Sequence, residues 1–472
     1  MRRAGLLLHP SSLPGPYGIG DIGASARRLL GWMASAELRI WQFLPLNPVD
    51  GLGCPYASPS AFAAEPLLLS IDDLVHEGWL SHAERPLWSG GIDAVDWTAL
   101  RALKTPALHL AARRVLQSED IEAWAADRPW VLDWGRFAAH AAAHGHDWTR
   151  WPRRLTERDE AWEHIALQWL FDRQWGQLRQ VARQHGIALW GDLPMFVGAS
   201  SADTWAHPEL FRLDKGGRPT VVTGAPPDDF SPQGQKWGHA HFDLAAHRKT
   251  QHAWWLARVH RLLEHADAVR LDHFRGLESV WEIPADAPDA THGHWVEGLG
   301  APLLDALKSE LGSVPFVAED LGVITPEVAA LRDAYELPGM AILQFAFGVG
   351  SEQPYLPHNH RANLVVYPGT HDNDTVRGWY ESTGEHVRDH ARRYLSVSGH
   401  DMPGDLQRAS YRSVADTCIV ALQDVLGLGT DARMNRPGTS EGNWAWRCRE
   451  EALNAGVAER LAGEARLTGR QR

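Results

Sequence analysis

Four short stretches place ionisable groups directly after apolar runs: "GDLP" with Asp192, "RLDHFRG" with Arg270 and Asp272, "AEDLG" with Glu319 and Asp320, and "GTHDND" with His371, Asp372 and Asp374. A carboxylate where a buried run ends is either a cap or ion-pair partner, or a reactive group held by a rigid element. Four such stretches in one chain point to a functional set, although any single one is compatible with a structural role. Two chemistries suit such a set. Metal binding needs several oxygen or imidazole ligands converging, and "THDND" offers them. However, the chain has no HExxH, no cysteine ligand set and no EF-hand loop. Acetal chemistry at a sugar needs one ionised carboxylate as nucleophile and one protonated carboxyl as acid, roughly 5–5.5 Å apart in the retaining case. Residues at the ends of neighbouring strands, about 4.8 Å apart, meet that requirement. Arg270, two residues before Asp272 and on the same strand face, would keep Asp272 ionised. Glu319 follows Phe316, Val317 and Ala318, and partial burial there would raise its pKa towards that of an acid.

The positioning elements are legible in the pattern. Apolar runs at Gly5 to Leu8, Leu38 to Pro45, up to about Met195, up to about Phe274, Pro315 to Gly322, Met340 to Gly348, Asn363 to Asp372 and Cys418 to Gly427 read as eight strands. The last reads equally as a helix. Helical stretches separate several of them, such as 24–36 and the one that Thr325 caps with Pro326 in its first turn. Strands that alternate with helices and are apolar on both faces imply a parallel sheet. Eight of them suggest a closed (β/α)8 barrel, whose reactive groups collect at the C-terminal strand ends. The whole chain, 1–472, then reads as one catalytic barrel. A largely helical insertion covers approximately 50–186, where Trp162, Ile165, Trp169 and Trp175 recur at helical spacing and Gly186 closes the helix. A covering loop insertion spans approximately 196–250.

Composition narrows the partners. A net charge of −13 argues against nucleic acid and against anionic lipid. Cys54, Cys418 and Cys448 form no framework, which fits a reducing cytoplasm. The N-terminal apolar run is too short for a signal peptide, and no segment approaches a membrane span. The 23 Trp are either packing residues or sugar platforms, because pyranose faces stack on aromatic rings.

Beyond these arguments, the chain resembles the 4-α-glucanotransferases called amylomaltases or disproportionating enzymes. "HPSSLPGPYGIGDIG", "CPYASPSAF", "GDLPMFV", "GAPPDDFSPQGQKWG", "RLDHFRG", "AEDLGVITPEV", "QFAF", "GTHDNDT" and "QDVLGLGTDARMNRPGT…GNWAWR" follow that family's order from His9 to Arg447. The resemblance implies a fold like that of α-amylases, a retaining double displacement on α-1,4-glucans and no cofactor. It implies maltooligosaccharides and starch- or glycogen-derived glucans as donors and glucose as an acceptor. It makes Asp272 the nucleophile, Glu319 the acid/base and Asp372 the second carboxylate that holds sugar hydroxyls, with His371 beside it and Arg270 orienting Asp272. Tyr56 would stack on the sugar at the cleavage point, and Trp237 would lie on the acceptor side. Asn443 and Trp444 would contact donor glucose units, although Trp444 is equally readable as core. Asp192 is either a supporting partner or a substrate contact, and Asp320 and Asp374 read as structural. An α-glucan hydrolase, a silent glucan-binding protein and a metal-dependent barrel hydrolase remain the alternatives. The sequence departs from the family pattern at Ala64 and Glu65, at Asp229 beside Phe230, and at Gly348, Val349 and Gly350. These departures read as changes at sugar subsites away from the catalytic pair.

Overall fold

The computed structural model describes residues 2–156, 158–227 and 231–471. Eight parallel strands form its centre: β1 (Arg3–Leu7), β2 (Ile40–Gln42), β3 (Ala188–Leu193), β4 (Ala268–Leu271), β5 (Phe316–Ala318), β6 (Gly339–Ile342), β7 (Leu364–Tyr367) and β8 (Thr417–Ala421). Seven neighbouring pairs follow chain order around the ring, with β8 returning to β1. The eighth seam, β5 to β6, closes through the Ala318 N–H donating to the Pro338 carbonyl at 2.8 Å. The Met340 N–H adds a bond of 2.7 Å to the Asp320 carboxylate. This is a (β/α)8 barrel.

Side-chain alternation sorts the strands' residues into two sets. Leu7, Ile40, Trp190, Val317, Met340 and Ile419 face inward and fill the barrel. Leu6, Trp41 and Leu189 face one set of surrounding helices, and Val269, Leu271 and Phe316 another. Near the top of the barrel the interior turns polar, where Tyr367 Oη donates to Gln42 Oε1 at 2.8 Å. Gly5 lets β1 approach β2, since a Cβ there would sit 2.8 Å from that of Ile40.

Strand ends show where sequence runs and hydrogen-bonded rungs diverge. The run Cys418 to Gly427 is both of its readings: strand up to Ala421, then a helical turn over Leu422–Val425. Ala421 pairs with Leu7, the last residue of β1, so no rung remains beyond it. The run from Met340 likewise leaves the sheet at Ile342 and turns into a 3-10 helix over Leu343–Phe345.

Between β2 and β3 the chain forms helices Ile71–His76, Trp97–Ser118, Ile121–Ala126, Pro129–His144 and Glu160–Gln184. Gly186 follows the last at φ +65, a left-handed cap that glycine adopts without steric cost. After β3, where the sequence suggested a loop, strands Val197–Gly198, Val221–Ala225 and Gln235–Ala240 form an antiparallel sheet. Ser279–Pro284 and His294–Glu297, from the β4–β5 connection, complete it. Pairing across such sequence distances leaves no local signal. Asp229 and Phe230 lie outside the described residues. Among those described, no helix is long and apolar enough to cross a membrane.

Candidate active site

Parallel register fixes the central pair. Leu271 of β4 is level with Ala318 of β5, so Asp272 and Glu319 are the next residues on adjacent strands. Strand spacing of about 4.8 Å therefore sets their backbones side by side at the barrel's rim. Both residues keep the inward parity of Arg270 and Val317.

Arg270 organises the site from below. Its Nη2 pairs with Asp272 Oδ1 at 2.9 Å. Its Nη1 donates to Asp192 Oδ1 at 3.0 Å and Oδ2 at 2.9 Å. Asp192 and Arg270 share a rung of the β3–β4 pairing, which is why the two can meet inside the barrel. Burial opposes the charge on Arg270, but Asp192 and Asp272 outweigh it and hold the guanidinium pKa well above its ordinary value. A permanent cation therefore touches the Asp272 carboxylate, and breaking such a buried set by removing one partner costs about 3–5 kcal/mol.

Glu319 has the opposite environment. Burial, with Asp272 adding to it against the pull of Arg270, pushes its carboxyl up to about 8. Its Oε2 accepts the His273 N–H at 2.7 Å, and its Oε1 lies 3.2 Å from the Leu321 N–H. His273 adopts φ +52, a left-handed conformation that costs a non-glycine residue about 1–3 kcal/mol. The strain turns the chain straight after Asp272 and aims that N–H at Glu319. Two neighbouring carboxyls thus have opposite surroundings: Asp272 is paired with the Arg270 guanidinium, and Glu319 is desolvated, which favours its protonated form at neutral pH.

The opposite wall comes from the loops after β2, β7 and β8. Tyr56 Oη donates to Asp192 Oδ2 at 2.7 Å and lies 2.9 Å from His371 Nε2. The Tyr56 and His371 rings stack at 5.4 Å with 7° between planes, and Trp444 tilts against both. Asp372 accepts from Asn435 Nδ2 at 2.6 Å and sits 3.3 Å from His371. Burial would raise its pKa, but His371, Asn435 and the arginines Arg270 and Arg433 together hold it below the usual carboxylate range.

A cavity of about 540 Å³ opens over these groups. Asp272, Glu319, Asp372, Tyr56, Trp237, Arg270, His371, Asn443 and Trp444 all line it. Asp192 does not: it is 1 % exposed and lies beneath the floor, holding Arg270 and Tyr56. Asn443 spends its amide on loop geometry, accepting from the Arg436 N–H and donating to the Thr439 carbonyl. Trp444 is 5 % exposed at φ +61, so it is both cavity wall and core. Of the 23 Trp, only Trp237 and Trp444 are among the lining residues, which makes packing the role of most others.

Asp320 and Asp374 point elsewhere, the first to Arg332 and the Met340 N–H, the second to Thr430 and its own loop. Glu65 caps a 3-10 turn through the Leu67 N–H and also accepts from the Val49 N–H. Neither it, Ala64 nor 348–350 is among the residues lining the cavity. Sequence reasoning gave no role to Asn435, Arg433 and the His273 N–H. Asn435 and Arg433 lie in the quoted stretch "ARMNRPGT", but only the folded loop shows what they touch. Among the described residues, no group of three or more His, Cys, Asp or Glu is placed to hold a metal ion.

Known proteins resemble this chain in sequence and fold. Residues 8–453 match the family model described as 4-alpha-glucanotransferase. The 4-alpha-glucanotransferase of Thermus thermophilus is 45% identical, over 99% of each chain. The chloroplastic/amyloplastic enzyme of Arabidopsis thaliana is 42% identical over 94% of this chain and 81% of its own. The amylomaltase of Streptococcus agalactiae, solved in complex with acarbose, superposes with a TM-score of 0.96 at 31% identity, each chain covered completely. On the match of sequence, barrel and family model together, the chain belongs to the 4-alpha-glucanotransferase family.

Proposed function

We propose that this enzyme transfers α-1,4-glucan segments by a retaining double displacement in which Asp272 is the nucleophile and Glu319 the acid/base. Asp272 attacks C1 of the donor while Glu319 protonates the departing 4-oxygen, giving a glycosyl-enzyme ester. Glu319, now ionised, takes the proton of an acceptor 4-hydroxyl, which attacks C1 and frees Asp272. The observation that carries this reading is the contrast in the surroundings of the two carboxyls: Asp272 is paired with Arg270 at 2.9 Å, and Glu319 is pushed up to about 8 by burial. Asp372, held by Asn435 and flanked by His371, binds hydroxyls of the sugar at the cleavage point, against which Tyr56 stacks. Asp192 acts through Arg270 and Tyr56 and does not touch sugar. Trp237 lies on the acceptor side, and Trp444 and Asn443 on the donor side.

Donors are maltooligosaccharides and longer α-1,4-glucans, with glucose among the acceptors. The barrel, the helical segment 50–186 and the segment 196–250 act as a single catalytic unit. No cofactor takes part. The setting is the cytoplasm, a reading supported by three cysteines free of disulfides. With maltotriose as sole substrate, glucose and a ladder of longer chains should form while total reducing ends stay nearly constant. A steady rise in reducing ends without longer products would instead identify a hydrolase.

A further inference from the structure

The strand Gln235–Ala240 edges the catalytic cavity, and alternation sends Gln235, Trp237 and His239 to one side. All three line the cavity, while Lys236 and Gly238 between them are exposed to solvent. Trp237 and Gln235 bond one another, indole Nε1 to Oε1 at 3.0 Å. Trp237 also packs edge-on against His273 at 4.8 Å, which ties this row to the turn after Asp272. His239 is different. Its ring packs near Phe196 and Trp237, 6.4 Å from each. Yet among the described residues no hydrogen bond engages either ring nitrogen, and Nδ1 is buried without a partner. Nδ1 is closed off, so Nε2, which is not among the buried unpartnered atoms and has no hydrogen bond among the described residues, is the ring nitrogen that a ligand in the cavity can reach.

We propose that His239 is a specificity-determining residue for the acceptor, hydrogen-bonding a hydroxyl of the incoming sugar while the sugar's apolar face lies against Trp237. This rests on the transfer reading above. A sugar hydroxyl both donates and accepts, so it suits either tautomer of a neutral imidazole. Neutrality has a physical basis: burial, though opposed by Asp272 and reinforced by Arg258, lowers the imidazole to about 4. At neutral pH the ring therefore adds no counter-charge to compete with Arg270 for the nucleophile. Water gains nothing from the aromatic platform, whereas a sugar gains both contacts, so the residue favours transfer over hydrolysis.

The test compares wild type, His239→Ala and His239→Asn, with maltotriose as donor and glucose as acceptor. Loss of one neutral hydrogen bond should raise the glucose KM about three- to tenfold in His239→Ala, more than it raises the donor KM. The share of products released by hydrolysis should rise with it. His239→Asn, which keeps a donor and an acceptor, should recover at least half of both effects. Equal changes in donor and acceptor KM, no change in either, or no recovery by Asn would overturn the assignment. A wild type that makes no longer chains would overturn the transfer reading as well, which keeps the two failures distinguishable.

Discussion

Replacing Glu319 by Gln removes a titrating carboxyl and leaves an isostere of its protonated form. The folded protein holds this carboxyl at about 8, against 4.5 for an unperturbed glutamate. Between those values the folded state binds a proton that the unfolded state has released. Wild-type stability from this group is therefore full below about pH 4.5 and declines as pH rises through about 8. The Gln variant lacks that decline. At about 1.36 kcal/mol per pH unit, the wild type loses about 1 kcal/mol by pH 5 and about 4 kcal/mol by pH 7.5. The variant's advantage should thus grow by about 3 kcal/mol across this window, with water in the cleft screening part of it. For 472 residues, an unfolding entropy of about 2.1 cal/mol/K per residue converts this to a Tm difference of about 3 °C. Scanning calorimetry of both proteins at pH 5 and pH 7.5 measures it. Turnover of natural glucans should fall about 10²- to 10⁴-fold in the same variant, because acid assistance is gone. A Tm difference that does not change with pH would refute the account of a protonated, desolvated Glu319.

Asp272→Asn should abolish turnover while circular dichroism stays that of the wild type, since Arg270 keeps its two bonds to Asp192; ordinary activity would remove Asp272 from the mechanism. Arg470 is 0% exposed and donates to the carbonyls of Tyr411, Ser413 and Ala415 at 2.8 to 2.9 Å. Arg470→Ala leaves these acceptors unpaired and should lower Tm by about 3 °C, at about 1 kcal/mol per lost bond; an unchanged Tm would show that water replaces the guanidinium. Dialysis against EDTA should leave the transfer rate unchanged; a loss restored by a divalent ion would favour the metal-dependent alternative.

What the sequence by itself determined is local or carried by chain order. Apolar runs bounded by Gly and Pro mark strands whatever their partners, because each rung of a parallel sheet is buried on both faces. The residues that end those runs, Asp272, Glu319 and Asp372, were legible for the same reason, as were caps such as Thr325, which bonds the Val328 N–H at 3.5 Å. Which polar groups meet was decided only by tertiary structure. Asp192 and Arg270 are 78 residues apart and pair because β3 and β4 set them on one rung. Asn435 reaches Asp372 across 63 residues because the loops after β7 and β8 lie side by side. The antiparallel sheet joins Val221–Ala225 to Ser279–Pro284, a pairing that satisfies backbone groups and leaves no pattern in the residues between. Periodicity reports which face of an element is buried. It carries no information about which neighbour buries it, so strand ends and the Arg270–Asp272 pair within one strand could be read, and the contacts between strands could not.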